Sequence, residues 1–117
     1  MLTRAVLKRV ILIWVIALVV LSLQPGRIET ARGRSYRHQI LHVAVFGATG
    51  LLFLALARSR REEFNATAAV VALATAIEIS QFLIYRLPSV EWWDIREDSI
   101  GAAVALVFHQ IWPYAVL

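Results

Sequence analysis

Long apolar stretches constrain this chain more than any other feature. Residues 10–23 contain one polar residue, Ser22, and residues 5–7 extend the stretch past two basic residues whose aliphatic stems can lie along an apolar surface. A helix over residues 5–23 is roughly 28 Å long, close to the thickness of the hydrocarbon core of a bilayer. The stretch therefore predicts a membrane-spanning helix.

Three further apolar stretches follow, at residues 38–57, 64–85 and 98–112, separated by short charged or turn-forming segments. The chain is 60% hydrophobic with a mean hydropathy of +0.69, far above an ordinary soluble domain of 117 residues. We predict an all-α polytopic membrane protein, with four transmembrane helices in a small antiparallel bundle. One domain then covers residues 1–117.

The beginning of the chain also resembles a secretory signal, because Arg4, Lys8 and Arg9 flank the first apolar stretch. No small-x-small cleavage pattern follows, and the sequence LQPG at residues 23–26 indicates a helix end. We expect a retained first helix. Lys and Arg divide equally between the two membrane faces, but acidic residues dilute one face, which favours both termini in the cytoplasm and a multi-pass protein of the bacterial inner membrane.

The net charge of +4 and the pI near 10.3 do not indicate nucleic acid binding, because the basic residues are scattered among apolar segments. The absence of cysteine excludes disulfides and thiolate metal sites. We expect membrane lipids as partners, together with a membrane protein complex or a second copy of the chain, and no nucleic acid.

The third stretch carries polar residues on one face. Glu78, Gln81 and Tyr85 are spaced i, i+3, i+7, so they form one stripe of a helix. A carboxylate inside a membrane costs several kcal/mol unless it has a cation, hydrogen-bond donors or a proton. Glu78 is therefore either part of a structural hydrogen bond or ion pair, or a functional residue, and intramembrane ionisable groups favour the second reading.

The second stretch carries a regular polar and small-residue face, in which four-residue steps join His38, His42, Phe46 and Gly50. Gly50 can let a neighbouring helix approach closely. Two histidines at this spacing can hold a metal, with Glu78 or Asp94 completing the ligands. No HExxH pattern is present and interfacial histidines are common, so we predict neither a metal nor a cofactor.

The fourth stretch is preceded by acidic residues. Asp94, Asp98 and Gly101 share a face if the helix begins by Asp94, whereas either aspartate can equally cap the helix. Arg86 follows the third helix and can pair with Asp94 across the loop or act as an interfacial anchor. The remaining acids of this segment, Glu91 and Glu97, are expected to be solvated.

Three segments, HQILHVAVFGATG, EISQFLIYR and DIREDSIG, together resemble the VanZ-like family of small bacterial membrane proteins over residues 38–105. The family has a histidine followed by an aromatic residue, which His42 and Phe46 match. Its E-x-x-Q with a following arginine is matched by Glu78, Gln81 and Arg86. Its D-x-x-x-N-x-x-G motif corresponds to Asp94, Asp98 and Gly101. Asp98 replaces the asparagine of that motif, and His38 and Gln39 replace a common Asp-Lys pair. The resemblance implies a role in the cell envelope, in a family associated with resistance to glycopeptide antibiotics such as teicoplanin, without a settled reaction.

We predict a polar pocket that opens at the non-cytoplasmic side and is formed by His42, Glu78, Gln81, Arg86, Asp94 and Asp98. Its ligand would be lipid-linked or glycopeptide-like, with Arg86 holding an anionic group. The alternative is a non-catalytic accessory or assembly subunit of a larger membrane complex, and a transport or proton-relay role is least favoured. No nucleophile has an evident base beside it, so the sequence leans away from an enzyme.

Overall fold

Four α-helices make up a computed structural model that describes residues 3–24 and 36–116, with side chains for 3–24 and 37–111. Their bounds are α1 Arg4–Ser22, α2 Tyr36–Leu54, α3 Arg60–Tyr85 and α4 Trp92–Val116. No strand occurs within the described ranges. The prediction of an all-helical chain with four helices is confirmed, while Pro25 and Gly26 of the predicted helix end lie outside the described residues.

The end of α2 and the start of α3 differ from the bounds predicted from the apolar stretches. α2 ends three residues earlier than predicted, at Leu54, and the next three residues form a tight turn. α3 begins four residues earlier than predicted, because the Ser59 hydroxyl accepts a hydrogen bond of 3.1 Å from the backbone N–H of Glu62. Glu62 and Glu63 then lie in the first turn, where their charges complement the helix dipole.

α4 begins at Trp92, six residues before the predicted start at residue 98. Its first two turns carry charged residues, so an apolar stretch could not reveal them. Asp94 lies in the first turn and Asp98 well inside the helix. The alternative in which Asp98 caps the helix is therefore wrong, and the condition for a shared face of Asp94, Asp98 and Gly101 is met.

α2 and α4 form the most extensive interface between helices in the described residues. They run in the same direction, because contacts rise together along both helices, from His38 with Asp94 and His42 with Asp98 to Gly47 with Gly101 and Gly50 with Ala105. A Cβ at Gly101 would lie 2.5 Å from the Val43 carbonyl oxygen and 2.9 Å from the Gly47 nitrogen. The two backbones are thus in direct contact. The close approach predicted at Gly50 is also confirmed, because a Cβ there would lie 2.8 Å from that of Ala105.

α3 completes a three-helix core with α2 and α4. It runs antiparallel to α4, since the Gln110 amide near the end of α4 donates to Glu63 near the start of α3. The buried apolar cluster contains Phe46, Val70, Ala74, Ile77 and Ala102.

α1 packs on the outside of this core and has no buried residue. The Arg4 guanidinium donates to the Leu56 carbonyl over 3.0 Å, and the Trp14 indole donates to the Thr49 hydroxyl over 2.8 Å. α1 is therefore positioned by polar contacts as well as by packing.

Among the described residues, α1 and α3 are long and apolar enough to cross a membrane. α2 and α4 are not, because each begins with polar or charged residues. Large apolar side chains are nevertheless exposed on α1, α3 and α4, among them Ile13, Leu83 and Val107. Four membrane spans therefore stay a prediction.

Candidate functional site

Polar side chains from three helices meet where α2 and α4 begin and α3 ends, which we call the polar end. His38 Nε2 donates to Asp94 Oδ1 over 3.0 Å, and His42 Nδ1 donates to Asp98 Oδ1 over 2.7 Å. Both pairs form because each helix repeats its polar residue after four positions and the helices run parallel. The sequence shows each spacing separately, but only the fold brings the two together.

The His42 ring is held on several sides. Its Nδ1 contacts Asp98, while its Nε2 lies 3.9 Å from Asp94 Oδ2. The ring centroid lies 4.4 Å from that of His38 and 6.4 Å from that of Phe46. These contacts fix the ring orientation and aim Nε2 at the carboxylate of the neighbouring turn.

The two pairs, His38 with Asp94 and His42 with Asp98, form what we call the ladder. Glu78 is buried beside this ladder, with 2% of its surface exposed. Its Oε2 atom is buried and has no hydrogen-bond partner, and no Lys or Arg of the described residues pairs with its carboxylate. A buried carboxylate oxygen without a donor is costly. The structural hydrogen bond or ion pair considered for Glu78 thus has no partner for this atom in the described part of the chain.

A cavity of about 470 Å³ opens beside Glu78, between α1 and the core. Apolar side chains such as Leu18, Val45 and Ile77 line one part of it. Its polar lining consists of Ser22, His38, His42, Glu78, Gln81, Glu91 and Asp94. The described lining thus combines an apolar part with the carboxyl groups of Glu78, Glu91 and Asp94, and no Lys or Arg is among the described lining residues.

Gln81 and Tyr85 contact the end of α1 instead of joining the histidines. The Gln81 amide donates to the Ser22 carbonyl over 2.6 Å, and the Tyr85 hydroxyl donates to the Leu23 carbonyl over 2.5 Å. The last carbonyls of a helix lack partners within it, so these side chains satisfy them. In the polar stripe of α3, Glu78 therefore lies beside the ladder, whereas Gln81 and Tyr85 bind the end of α1.

Arg86 lies apart from the other predicted pocket residues. It is exposed, ends α3 in a left-handed conformation with φ of 52°, and is not among the residues that line the cavity. No ion pair between Arg86 and Asp94 occurs in the described residues, so the first of the two alternatives for Arg86 is wrong. Arg86 instead supplies the C-cap, its backbone N–H donating to the Phe82 carbonyl.

Several residues at or near the site were missed or misjudged. Glu97 was expected to be solvated but is buried, because the early start of α4 places it in a helical turn beside α2. Thr49, fully buried, accepts from Trp14 and donates to the Val45 carbonyl over 2.8 Å. In the sequence, the indication of this contact was that Thr49 lies within an apolar stretch, where a hydroxyl group needs a hydrogen-bond partner.

Two sets of side chains bring potential metal-ligand atoms within 4.8 Å of one another. We call their union the histidine–carboxylate cluster, which comprises His38, His42, Glu78, Asp94, Glu97 and Asp98. His42 belongs to both sets. The chemistry available is thus hydrogen bonding, proton exchange and ligation of a cation.

No protein-family model, curated protein or solved structure matches this chain. The site is accordingly interpreted from its own geometry.

Proposed function

We propose that this chain is a VanZ-like integral membrane protein of the bacterial cell envelope, with all four helices in the bilayer. In this proposal, the cavity binds one lipid-linked or glycopeptide-like ligand at the non-cytoplasmic side. The observation that carries the proposal is the amphipathic cavity of about 470 Å³, a volume typical of ligand sites. Its apolar lining suits a hydrocarbon chain, and its polar end suits a headgroup.

The charged residues that line the cavity limit the kinds of headgroup that it can bind. Glu78, Glu91 and Asp94 line the polar end, and no described Lys or Arg does. Carboxylate oxygens accept hydrogen bonds and repel anions. A headgroup with ammonium, amide or hydroxyl donors can therefore pair with Glu78, and the role first predicted for Arg86 as an anion holder is set aside because Arg86 does not line the cavity.

Glu78 is the residue expected to contact such a headgroup. Its buried Oε2 lacks a donor, so a ligand that supplies one would offset the cost of burying the carboxylate. The nearby ladder holds His42 in place and gives the site a rigid wall. The ligand would enter beside α1, the one helix without a buried residue.

The test is native mass spectrometry of the full chain, purified from its membranes in a mild detergent. Ala17→Trp places an indole into the cavity lining, whereas Ala103→Trp adds the same group at an exposed position of α4. We expect a defined ligand on the wild type and on Ala103→Trp, and its loss from Ala17→Trp.

Equal ligand retention by the two variants would contradict binding in the cavity. A stoichiometric protein partner without a small ligand would instead support the accessory-subunit alternative.

A further inference from the structure

We propose that the histidine–carboxylate cluster binds one divalent transition metal ion, such as zinc, through His38, His42, Asp94 and Glu97. This inference does not depend on the proposed ligand. It concerns the polar end alone and assigns it an inorganic partner that the sequence interpretation did not favour.

The ligand atoms already lie at suitable separations. Two ligands bound to one tetrahedral zinc at about 2.1 Å are roughly 3.4 Å apart. His38 Nε2 lies 3.0 Å from Asp94 Oδ1, and His42 Nε2 lies 3.9 Å from Asp94 Oδ2. One oxygen of Glu97 completes a set in which all four ligand atoms lie within 4.8 Å of one another.

The position of His42 suits metal binding. When its Nδ1 donates to Asp98, the Nε2 of the neutral ring carries the lone pair, and this atom lies 3.9 Å from Asp94 Oδ2. A carboxylate that accepts from the far nitrogen of a ligating histidine is the usual outer-shell arrangement, because it fixes the tautomer and strengthens the ligand. His38 would move its ring proton from Nε2 to Nδ1 to free the second ligand.

Glu78, which was assigned above to the organic ligand, lies close enough to the histidines to be affected by a cation there. It is 2% exposed, its Oε2 has no hydrogen-bond partner, and an oxygen of its carboxylate lies within 4.8 Å of ligand atoms of His42 and Asp98. No described Lys or Arg pairs with Glu78 or Asp98. A divalent ion at the adjacent histidines would place positive charge beside these two buried carboxyl groups.

The donor set selects the class of ion. Two imidazoles with two carboxylates suit zinc and neighbouring transition metals, whereas magnesium and calcium prefer oxygen ligands alone. The helical positions also form a rigid frame, since α2 and α4 are in backbone contact just beyond the cluster at Gly101.

The test uses the full chain in detergent, purified with a histidine-free tag and stripped of metal by a chelator. Zinc is then titrated against a chromophoric competitor, and bound zinc is counted by mass spectrometry after gel filtration. We expect one zinc per chain. We also expect the visible absorption of bound Co²⁺ to show the intense bands of a low-coordinate site.

Variants separate ligands from supporting residues. His42→Gln and Asp94→Asn should each weaken zinc binding by more than about 100-fold, and Asp98→Asn by roughly 10–100-fold, the range for outer-shell partners. His109→Gln changes a histidine outside the cluster on the same helix as Asp94 and should leave the affinity unchanged.

Circular dichroism and gel filtration show which variants are folded, and the Co²⁺ spectrum of the wild type tests the site without any variant. Absence of bound zinc, an octahedral Co²⁺ spectrum, or equal affinities for wild type, His42→Gln and Asp94→Asn would overturn the proposal. Its failure leaves the ligand experiment with Ala17→Trp unaffected.

Discussion

The α2–α4 interface and the attachment of α1 hold helices together in different ways. At the first, glycines bring two backbones into contact, as at Gly47 and Gly101. At the second, no α1 residue is buried, and hydrogen bonds join it to the core at both ends and in the middle. The histidines therefore lie on α2, which is tightly packed against α4. The cavity beside them is closed by α1, which can be displaced from the core at a lower cost in free energy than α2 can be separated from α4.

The physical reason lies in the side chains. Small residues let backbones approach, and the resulting dispersion contacts stabilise helix pairs in lipid as well as in water. α1 is apolar around most of its circumference, so its apolar contacts alone barely distinguish the core from lipid. Its polar contacts therefore decide which face meets the core.

The largest expected effect is at the tight interface. Gly101→Val places a Cβ against backbone atoms of Val43 and Gly47, which cannot rotate away, so we expect a loss of about 3 kcal/mol or more, or no folded protein. Ala103→Val makes a β-branched change at an exposed position of the same helix and should cost little. Thermal unfolding in detergent followed by circular dichroism compares them, and similar midpoints would refute backbone contact.

A smaller effect is expected at the end of α1. Gln81→Leu combined with Tyr85→Phe removes two hydrogen bonds to α1 carbonyls and should loosen that end by about 1–3 kcal/mol. The chain has no cysteine, so Leu18→Cys, at a partly buried position of the cavity lining, provides a single label. Its reaction with a maleimide should accelerate in the double variant.

Val107→Cys, exposed on α4, is the control for this labelling and should react at the same rate in both backgrounds. An unchanged rate at Leu18→Cys would show that the hydrogen bonds from Gln81 and Tyr85 do not hold this end of α1.

The middle of α1 should show a coupling of about 1 kcal/mol. Trp14→Phe and Thr49→Val each break the indole-to-hydroxyl hydrogen bond, so the double variant should be less destabilised than the sum of the two. A double-mutant cycle on unfolding free energies measures this. Additive effects would mean that the bond contributes nothing to the attachment of α1.

The smallest effect is expected at the end of α3, where Arg86 adopts a left-handed conformation. Arg86→Gly should raise the free energy of unfolding by up to about 1 kcal/mol, since glycine adopts this conformation without strain. Because Arg86 does not line the cavity, ligand retention should not change. If this variant lost the ligand, Arg86 would be a residue of the ligand-binding pocket, as the family resemblance implies.

Much of the helical framework was predictable from sequence, because apolar stretches and turn residues are local signals. α3 ends at Tyr85 as predicted, and α1 begins and ends within one residue of its predicted bounds. The start of α4 was missed because Asp94, Arg96, Glu97 and Asp98 hide a helix from a search for apolar residues.

The site was only partly predictable, because its parts come from distant segments. The spacings of the histidines and aspartates indicated shared faces, but the pairs join residues 56 positions apart, and their register depends on how α2 and α4 pack. Gln81 was assigned to the pocket from its stripe and does line the cavity, but its hydrogen bond to the Ser22 carbonyl could not be predicted from the sequence. Arg86 was assigned from its position after the third helix and from the family resemblance, and its backbone conformation cannot be read from sequence.

The central claim is that Glu78 is buried to bind a ligand, not to stabilise the bundle. The most direct measurement compares Glu78→Gln with Glu63→Gln on the same helix, recording thermal unfolding and retained ligand for each. Glu78→Gln should abolish ligand retention without lowering the free energy of unfolding, because Oε2 of Glu78 has no hydrogen-bond partner to lose. Glu63→Gln should leave ligand retention unchanged and cost less than about 1 kcal/mol, since it weakens the hydrogen bond from Gln110 and one favourable contact with the helix dipole. A Glu78→Gln protein that unfolds more easily and keeps its ligand would contradict the claim and make Glu78 a structural residue.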